Sequence, residues 1–335
     1  MIALEALTKR YGPGPPAVDH LSLEVMTGEV CALIGPSGSG KSTTLRMINR
    51  LIEPTSGRIW LDGEDVTTME PTQLRRRMGY VIQQVGLFPH ETVGDNVATI
   101  PRLLGWDRKR VQARVVELLE MVGLDPAVYA KRWPHELSGG QRQRVGVARA
   151  LGADPPLLLM DEPFGAIDPI TRNRLQGEFL ELQQRVRKTV VLVTHDLEEA
   201  VRLGDRIAVL SEGGNLEQYA APSEVLGRPA TPFVAGFVGR DRSVRRLAVV
   251  VLKPVDVEPL RPGEDAAAVL DGPRVAVGDT LRDALVAILD SPLGVVAVED
   301  GSGSVLGALR AESVYAAARR SLADGPATTV DAAWP

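Results

Sequence analysis

GPSGSGKST, residues 35–43, is the stretch that decides the fold, because glycines and a lysine at this spacing form a phosphate-binding loop. The apolar run at residues 30–34 precedes it and is typical of a buried strand. Residues 43–51, TTLRMINRL, follow it with the apolar spacing of a helix. The sequence therefore predicts a strand, a loop and a helix that together bind a nucleotide.

The residue types inside this loop suit a phosphate chain. Glycine adopts backbone conformations closed to other residues, so successive N–H groups can point inward, and the helix N-terminus adds partial positive charge. We expect Lys41 to reach the outer phosphates and the Ser42 hydroxyl to coordinate Mg²⁺. A glycine-rich turn with a chance lysine is the alternative, which the strand and helix disfavour. The predicted nucleotide-binding residues are Gly35, Pro36, Ser37, Gly38, Ser39, Gly40, Lys41, Ser42 and Thr43.

Two adjacent carboxylates, Asp161 and Glu162, follow a second apolar run at residues 157–160. Ligands of open α/β sheets bind at the carboxyl ends of the strands, which is where these residues would lie. We expect Asp161 to hold Mg²⁺ through water, and Glu162 to polarise the water that attacks the γ-phosphate. Solvated surface charges are the alternative.

A second motif, LSGGQ at residues 137–141, leads into the helix-like string QRQRVGVARAL. Ser138 is a good N-cap, and the first turn of a helix has unpaired N–H donors. Such a helix end favours an anion, so the motif predicts a second contact with phosphate.

This ordered set resembles the ATP-binding subunits of ABC transporters over residues 1–240. The resemblance implies that Tyr11, in LTKRYG, stacks on adenine, and that Gln83, in GYVIQQ, reaches the metal and the attacking water. The adjacent Gln84 is the alternative match for that glutamine. The resemblance also implies that Asp168 lies in a loop at a dimer interface and that His195 contacts the γ-phosphate. Taken alone, Tyr11 is typical of a packing aromatic and His195 of a polar strand end.

The resemblance also implies cofactors and partners. ATP and Mg²⁺ would be bound, and two copies of the chain would enclose two ATP molecules. Two transmembrane permease subunits would sit beside the helical subdomain, at about residues 85–150, with Leu87, Phe88 and Pro89 as contacts or as packing residues. A solute-binding protein outside the membrane would act through the complex. The residues expected to meet ATP held by the second copy are Ser138, Gly139, Gly140 and Gln141.

Composition is consistent with a peripheral protein on the cytoplasmic face of the cell membrane. The 335 residues are 44% hydrophobic and 24% charged, enough for a substantial core and about two domains. The net charge of −5 gives no bias toward nucleic acid, which we do not expect as a partner. Cys31 is the single cysteine, so no internal disulfide forms, and it is expected to be buried. The N-terminal residues do not form a basic leader with a long apolar core, and the sequence has no run of eighteen apolar residues. We therefore expect any membrane role to require partner subunits.

Longer strings narrow the resemblance. YVIQQVGLFPHETVGDN and HDLEEAVRLGDRIAVL resemble the ATPases of osmoprotectant importers, which carry glycine betaine, carnitine, choline or proline. The function this implies is ATP hydrolysis that drives uptake of such a solute. The alternatives are an importer for another small solute such as an amino acid, a soluble ABC ATPase outside transport, and a silent nucleotide-binding subunit. The last would have lost a catalytic group, yet Glu162 and His195 are present.

The predicted fold is an α/β P-loop ABC ATPase with a mostly parallel sheet, an antiparallel β subdomain, a helical signature subdomain and a small C-terminal α/β unit. Residues 241–273 are expected to be a linker or a degenerate repeat. The basic patch of Arg240, Arg242, Arg245 and Arg246 suggests a solvated linker or a contact with anionic lipid. Residues 274–322 resemble one cystathionine-β-synthase-like (CBS) repeat, with a Thr280-capped helix, two strands and a helix. Residues 323–335 are expected to be a tail. The role expected of this unit is dimerisation or regulation.

Overall fold

The structure is a computed structural model that describes residues 1–82, 86–165, 167–262 and 264–323. Contacts between Cα atoms divide the chain into two compact units, Met1–Tyr219 and the chain from Ala220 onward. The domain boundaries drawn from the sequence at residues 240, 273 and 322 stay predictions.

The strands and helices alternate along much of the chain. The strands are β1 (Ile2–Lys9), β2 (Val18–Val25), β3 (Val30–Ile34), β4 (Ser56–Leu61), β5 (Glu64–Asp65), β6 (Met78–Val81), β7 (Leu157–Asp161), β8 (Thr189–Val193), β9 (Arg206–Leu210), β10 (Leu216–Ala220), β11 (Arg274–Ala276), β12 (Val295–Glu299) and β13 (Val305–Arg310). The helices are α1 (Lys41–Ile48), α2 (Pro71–Arg76), α3 (Val93–Leu103), α4 (Arg108–Met121), α5 (Pro126–Tyr129), α6 (Gly139–Ala150), α7 (Pro169–Val186), α8 (Leu197–Leu203), α9 (Pro222–Gly227), α10 (Pro232–Val238), α11 (Arg242–Arg246), α12 (Ala266–Asp271), α13 (Leu281–Asp290) and α14 (Ala311–Ala323).

The first unit contains two sheets. One has the strand order β2-β1-β4-β5, with antiparallel pairing throughout. The other has the order β10-β9-β3-β8-β7-β6, in which β3, β6, β7, β8 and β9 pair in parallel. The mostly parallel sheet and the antiparallel part near the N-terminus are therefore confirmed.

The central strands β3, β7 and β8 are mostly apolar because both faces of the larger sheet are covered. In β3, Val30 belongs to one buried cluster, whereas Cys31 and Leu33 belong to another. This alternation follows from the opposite directions of successive side chains in a strand. Cys31 is fully buried, and burial raises the pKa of its thiol to about 12, so the thiol stays neutral. The expectation for this cysteine is confirmed.

The helix after the phosphate loop is shorter and earlier than the sequence indicates, running over Lys41–Ile48 rather than residues 43–51. Arg50 lies just beyond it with a φ of 49°, a left-handed conformation that a helix does not continue through. Its guanidinium is held by the carbonyls of Val66 and Met69. These distant contacts end the helix, which is why local spacing overestimates its length.

The second unit has a three-stranded sheet in the order β11-β12-β13, parallel in the first pair and antiparallel in the second. Thr280 caps α13 by accepting a hydrogen bond from Asp283 N at 3.1 Å. The predicted helix, strand, strand and helix are confirmed as α13, β12, β13 and α14. Their likeness to a CBS repeat stays a prediction.

The segment before this sheet packs onto it. Glu258 exchanges two backbone hydrogen bonds with Ala308 of β13, at 2.9 and 2.8 Å. The buried Arg310 side chain binds the carboxylates of Glu258 and Glu264. Arg246 is also buried and donates to the carbonyl of Ala318 at 2.7 Å, so it is not available for contact with lipid.

None of the helices in the described part of the chain is long and apolar enough to cross a membrane.

Candidate nucleotide and metal site

The phosphate loop, residues 35–43, connects β3 to α1 in a conformation that depends on its glycines. Gly38 and Gly40 have φ angles of 83° and 79°, in the left-handed region. A Cβ on Gly40 would lie 2.5 Å from the carbonyl oxygen of Ala17, so the loop also needs glycine there for space. A Cβ on Gly38 would meet nothing within 4 Å, which leaves that side of the loop open.

Lys41 is folded back onto this loop. Its Nζ donates hydrogen bonds to the carbonyls of Gly35 and Pro36 at 2.8 Å, and to Ser39 Oγ at 3.1 Å. The residue is only 7% exposed, and burial lowers the pKa of its ammonium, opposed by the charges of Glu162 and Asp161. A cation held among carbonyls at a helix N-terminus fits a phosphate chain.

Ser42 and Asp161 bring two oxygen ligands together. Ser42, in the first turn of α1, donates from Oγ to Asp161 Oδ1 at 3.1 Å at the end of β7. Burial raises the pKa of Asp161, against the lowering effect of the Ser42 hydrogen bond. Mg²⁺ prefers oxygen ligands and usually keeps waters and substrate phosphates, so one hydroxyl and one carboxylate suit it. Groups of three or more metal-ligating His, Cys, Asp or Glu are absent from the described residues.

Glu162 and His195 lie side by side at the ends of β7 and β8. Glu162 Oε1 is 3.2 Å from His195 Nδ1, and the Glu162 backbone N–H donates to Val193 O at 2.9 Å. Glu162 has a φ of 44°, which is uncommon for a residue with a side chain. Backbone strain of this kind is often found at functional sites. The structure thus brings together the predicted general base and the histidine that the resemblance implies contacts the γ-phosphate.

Sequence reasoning did not identify the residues behind His195. Thr194 Oγ1 donates to Glu199 Oε2 at 3.1 Å and accepts from Asp196 N at 3.0 Å. Asp196 caps α8, and buried Glu199 has its pKa raised to about 7, chiefly by burial. The string DLEE after His195 is an N-cap pattern, which was the available signal for Asp196.

The LSGGQ motif starts α6 as predicted. Ser138 Oγ accepts from Gln141 N at 3.2 Å, and Gln141 Oε1 accepts from Ser138 N at 2.9 Å, which is a capping box. Gln141 Nε2 also donates to Tyr129 Oη at 3.0 Å. Gly139 and Gly140 form the first turn of the helix, so the motif presents a well-ordered helix N-terminus.

The remaining predicted residues fall in three places. Tyr11 follows β1 and is 66% exposed, with Lys9 Nζ 5.1 Å from its ring centre. Asp168 caps α7 by accepting from Thr171 N at 3.0 Å, and this hydrogen bond lowers the pKa of its carboxyl. Gln83 and Gln84 lie outside the described residues, so their predicted roles stay predictions.

The three candidate permease contacts differ in their exposure, which bears on whether each packs inside the subdomain or is available to a permease. Leu87 is partly buried and packs against the core of the helical part, whereas Phe88 and Pro89 are exposed. The Arg149 guanidinium lies 5.6 Å from the Phe88 ring centre. Of these three candidates, Phe88 and Pro89 are therefore the more exposed.

Comparison with known proteins gives consistent relatives. The ABC transporter family model matches residues 18–165. The chain is 54% identical over 254 residues to the osmoprotectant import ATP-binding protein OsmV of Salmonella typhimurium, covering 75% of this chain and 66% of that protein. It is 52% identical to the glycine betaine/carnitine/choline transport ATP-binding protein OpuCA of Bacillus subtilis, covering 73% of this chain and 64% of that protein. The chain thus spans slightly less than two thirds of these two relatives.

A third relative matches along nearly its whole length. The glycine betaine uptake system ATP-binding protein YehX of Escherichia coli is 46% identical over 309 residues, covering 92% of this chain and 97% of that protein. Among solved structures, a dimeric bacterial ABC transporter cassette superposes with a TM-score of 0.58 at 36% identity, covering 66% of this chain and 99% of that one. The predicted fold and resemblance are confirmed, and the chain belongs to the ATP-binding proteins of the ABC transporter family.

Proposed function

We propose that this chain binds and hydrolyses MgATP as the energy-supplying subunit of an importer for an osmoprotectant such as glycine betaine, carnitine, choline or proline. The observation that carries the proposal is the meeting of Ser42 with Asp161, and of Glu162 with His195, at the carboxyl edge of one sheet. The relatives named for osmoprotectant or glycine betaine uptake support the solute class.

The residues divide the chemistry among them. The loop amides and Lys41 would bind the phosphates, and Tyr11 is exposed enough to stack on the base. Ser42 and Asp161 would hold Mg²⁺, which supplies positive charge to the phosphate oxygens when bound. Glu162 would accept a proton from the attacking water. His195, beside Glu162, would contact the γ-phosphate.

A second copy of the chain would complete the site. In this arrangement the N-terminus of α6, at Ser138 to Gln141, would contact the phosphate of the nucleotide held by the other copy. Such mutual contact follows from two-fold symmetry, in which each copy presents the same surface. The dimeric cassette among the solved relatives supports a dimer of this kind. Asp168 would then lie near the second copy.

The membrane partners would be two permease subunits, with a solute-binding protein on the outer side. Exposed Phe88 and Pro89 are the residues that we propose contact a permease, because apolar side chains in an exposed loop suit an interface. The chain would then lie on the cytoplasmic face of the membrane. An importer for an amino acid and a soluble ABC ATPase are the competing functions.

The test is solute uptake by the chain reconstituted with its permease and binding-protein partners in liposomes that contain MgATP. We expect uptake of labelled glycine betaine, competition by carnitine, choline or proline, and loss of uptake in Lys41→Ala. Lys109→Ala, on the exposed face of α4, is the matched control and should keep uptake. Uptake of histidine without glycine betaine would favour the amino-acid importer, and ATP hydrolysis that is independent of every partner would favour a soluble ATPase.

A further inference from the structure

Arg172, in the first turns of α7, reaches two loops that follow the proposed catalytic residues. Its Nη2 donates to the carbonyl of Ile167 at 3.1 Å and to that of Gly165 at 3.5 Å, in the loop after Glu162. Its Nη1 donates to Asp196 Oδ2 at 3.5 Å, in the loop after His195. One guanidinium therefore contacts both loops.

Asp196 has separate partners for its two carboxylate oxygens. Oδ1 accepts from Glu198 N at 2.8 Å and from Glu199 N at 3.3 Å, and so caps α8. Oδ2 is the oxygen that faces Arg172. The backbone N–H of Asp196 donates to Thr194 Oγ1 at 3.0 Å, so the residues on both sides of His195 are fixed. This arrangement holds His195 where its Nδ1 lies 3.2 Å from Glu162.

The other end of the connection is Asp168. Its backbone carbonyl accepts the Arg172 N–H at 2.8 Å, and its side chain caps the same helix turn. Movement of Asp168 would therefore move the start of α7, and with it the Arg172 side chain. Arginine suits this role because its planar fork offers several donors in fixed directions, whereas lysine offers a point charge.

We propose that Arg172 is a positioning residue that couples the loop carrying Asp168 to the loop carrying His195. Contact of Asp168 with a second copy of the chain would then set the direction of His195 beside Glu162. The effect of Arg172 on hydrolysis rests on the proposed function, whereas the mechanical coupling between the two loops does not. A purely structural role, in which Arg172 only stabilises the start of α7, is the competing explanation.

The variant Arg172→Met keeps an unbranched apolar side chain close in length to the aliphatic part of arginine and removes the charge and the donors. The matched control is Arg174→Met, two residues along the same helix, where the side chain is 63% exposed and lies 4.0 Å from Glu178. In the full chain, we expect Arg172→Met to lower amide-exchange protection of Glu198 and Glu199 by about tenfold, since their cap loosens. The control should match the wild type, and Arg172→Lys should fall between them.

Hydrolysis by the complex with membrane partners gives the second readout. We expect Arg172→Met to lower kcat about tenfold and to leave KM within about twofold, because nucleotide contacts stay intact. A structural role would instead lower the melting temperature and leave the turnover of folded protein unchanged. Asp196→Asn keeps an oxygen for the cap and removes the charge, so the double variant with Arg172→Met should be no slower than Arg172→Met alone.

The proposal is overturned if Arg172→Met matches Arg174→Met in exchange and turnover, or if its effect and that of Asp196→Asn simply add. Failure of the wild-type complex to hydrolyse ATP would overturn the proposed function instead, and amide exchange would still decide whether the loops are coupled.

Discussion

Ser42 donates a hydrogen bond from Oγ to Asp161 Oδ1 at 3.1 Å, although 119 positions separate the two residues. The contact forms because β3 and β7 both pair with β8 in parallel, so their carboxyl ends meet at one edge of the sheet. A hydroxyl and a buried carboxylate at this edge make the pair that we assign to Mg²⁺.

Removal of the charge of Asp161 tests this pair. We expect Asp161→Asn to lower hydrolysis at least about a hundredfold at moderate Mg²⁺, because an amide is a much poorer ligand for a hard cation. Nucleotide affinity measured by calorimetry should lose most of its dependence on Mg²⁺. Asp290→Asn, on the exposed face of α13, is the control. An Asp161→Asn variant with wild-type affinity and the same Mg²⁺ dependence would contradict the assignment.

Tyr11 provides a test of base stacking without a cost in stability. Its side chain is 66% exposed, so Tyr11→Ala should leave the melting temperature nearly unchanged. We expect the dissociation constant for ATP to rise by about five- to tenfold, which corresponds to roughly 1 kcal/mol of lost stacking. Tyr11→Phe should bind almost as the wild type does. Equal affinities for Tyr11→Ala and wild type in calorimetry would remove Tyr11 from the site.

Variants at Ser138, the N-cap of α6, distinguish effects on folding from effects on dimerisation. Ser138→Asp keeps a good cap and places negative charge at a helix N-terminus, so folding should be unaffected. The same carboxylate would repel a phosphate bound by a second copy, and we expect loss of ATP-dependent dimerisation in sedimentation experiments. Ser138→Ala should lose about 1 kcal/mol in stability, because the cap is removed, and should weaken dimerisation less than Ser138→Asp does, because it adds no negative charge. Normal dimerisation by Ser138→Asp would argue against the anion contact.

Glu199 gives a dependence of stability on pH. Burial raises its pKa from 4.5 to about 7, so the folded chain binds more protons than the unfolded chain between these values. The stabilising contribution is complete below pH 4.5 and is lost as the pH rises through 7. Glu199→Gln should therefore be more stable than wild type at pH 8, by about 1 to 3 kcal/mol, and not at pH 5.

The measurement is the free energy of unfolding of both proteins across this pH range. Glu198→Gln is the control, since Glu198 is the exposed neighbour on α8. A stability difference between Glu199→Gln and wild type that does not change from pH 5 to pH 8 would show that Glu199 does not titrate as described.

Local sequence was sufficient for the parts of the fold and site that are built from short segments. The loop at residues 35–43 lies between β3 and α1, and Ser138 and Thr280 cap their helices as the residue types indicate. Each of these features depends on neighbours within a few positions, so a single sequence contains the necessary signal.

Features made by distant elements could not be predicted in this way. The end of α1 depends on the carbonyls of Val66 and Met69 that hold Arg50. The burial of Glu199 and the reach of Arg172 to Asp196 depend on how α7 packs against α8 and how α8 packs against β3. Glutamate and arginine are usually solvated, so their residue types alone indicated exposed helix faces.

The central claim is that Glu162 is the general base for ATP hydrolysis in an osmoprotectant importer. Its most direct test is ATP turnover by Glu162→Gln and wild type in the complex with membrane and binding-protein partners, with and without glycine betaine. Glu198→Gln serves again as the control, because it removes a nearby carboxylate outside the site.

We expect glycine betaine to stimulate the wild type and Glu198→Gln, and turnover by Glu162→Gln to fall by at least about a hundredfold, the usual contribution of a general base. ATP-dependent dimerisation of Glu162→Gln should remain, because glutamine preserves the shape of the site. Turnover by Glu162→Gln at the wild-type rate would contradict the assignment of the base, and a wild-type complex unaffected by glycine betaine would contradict the solute class.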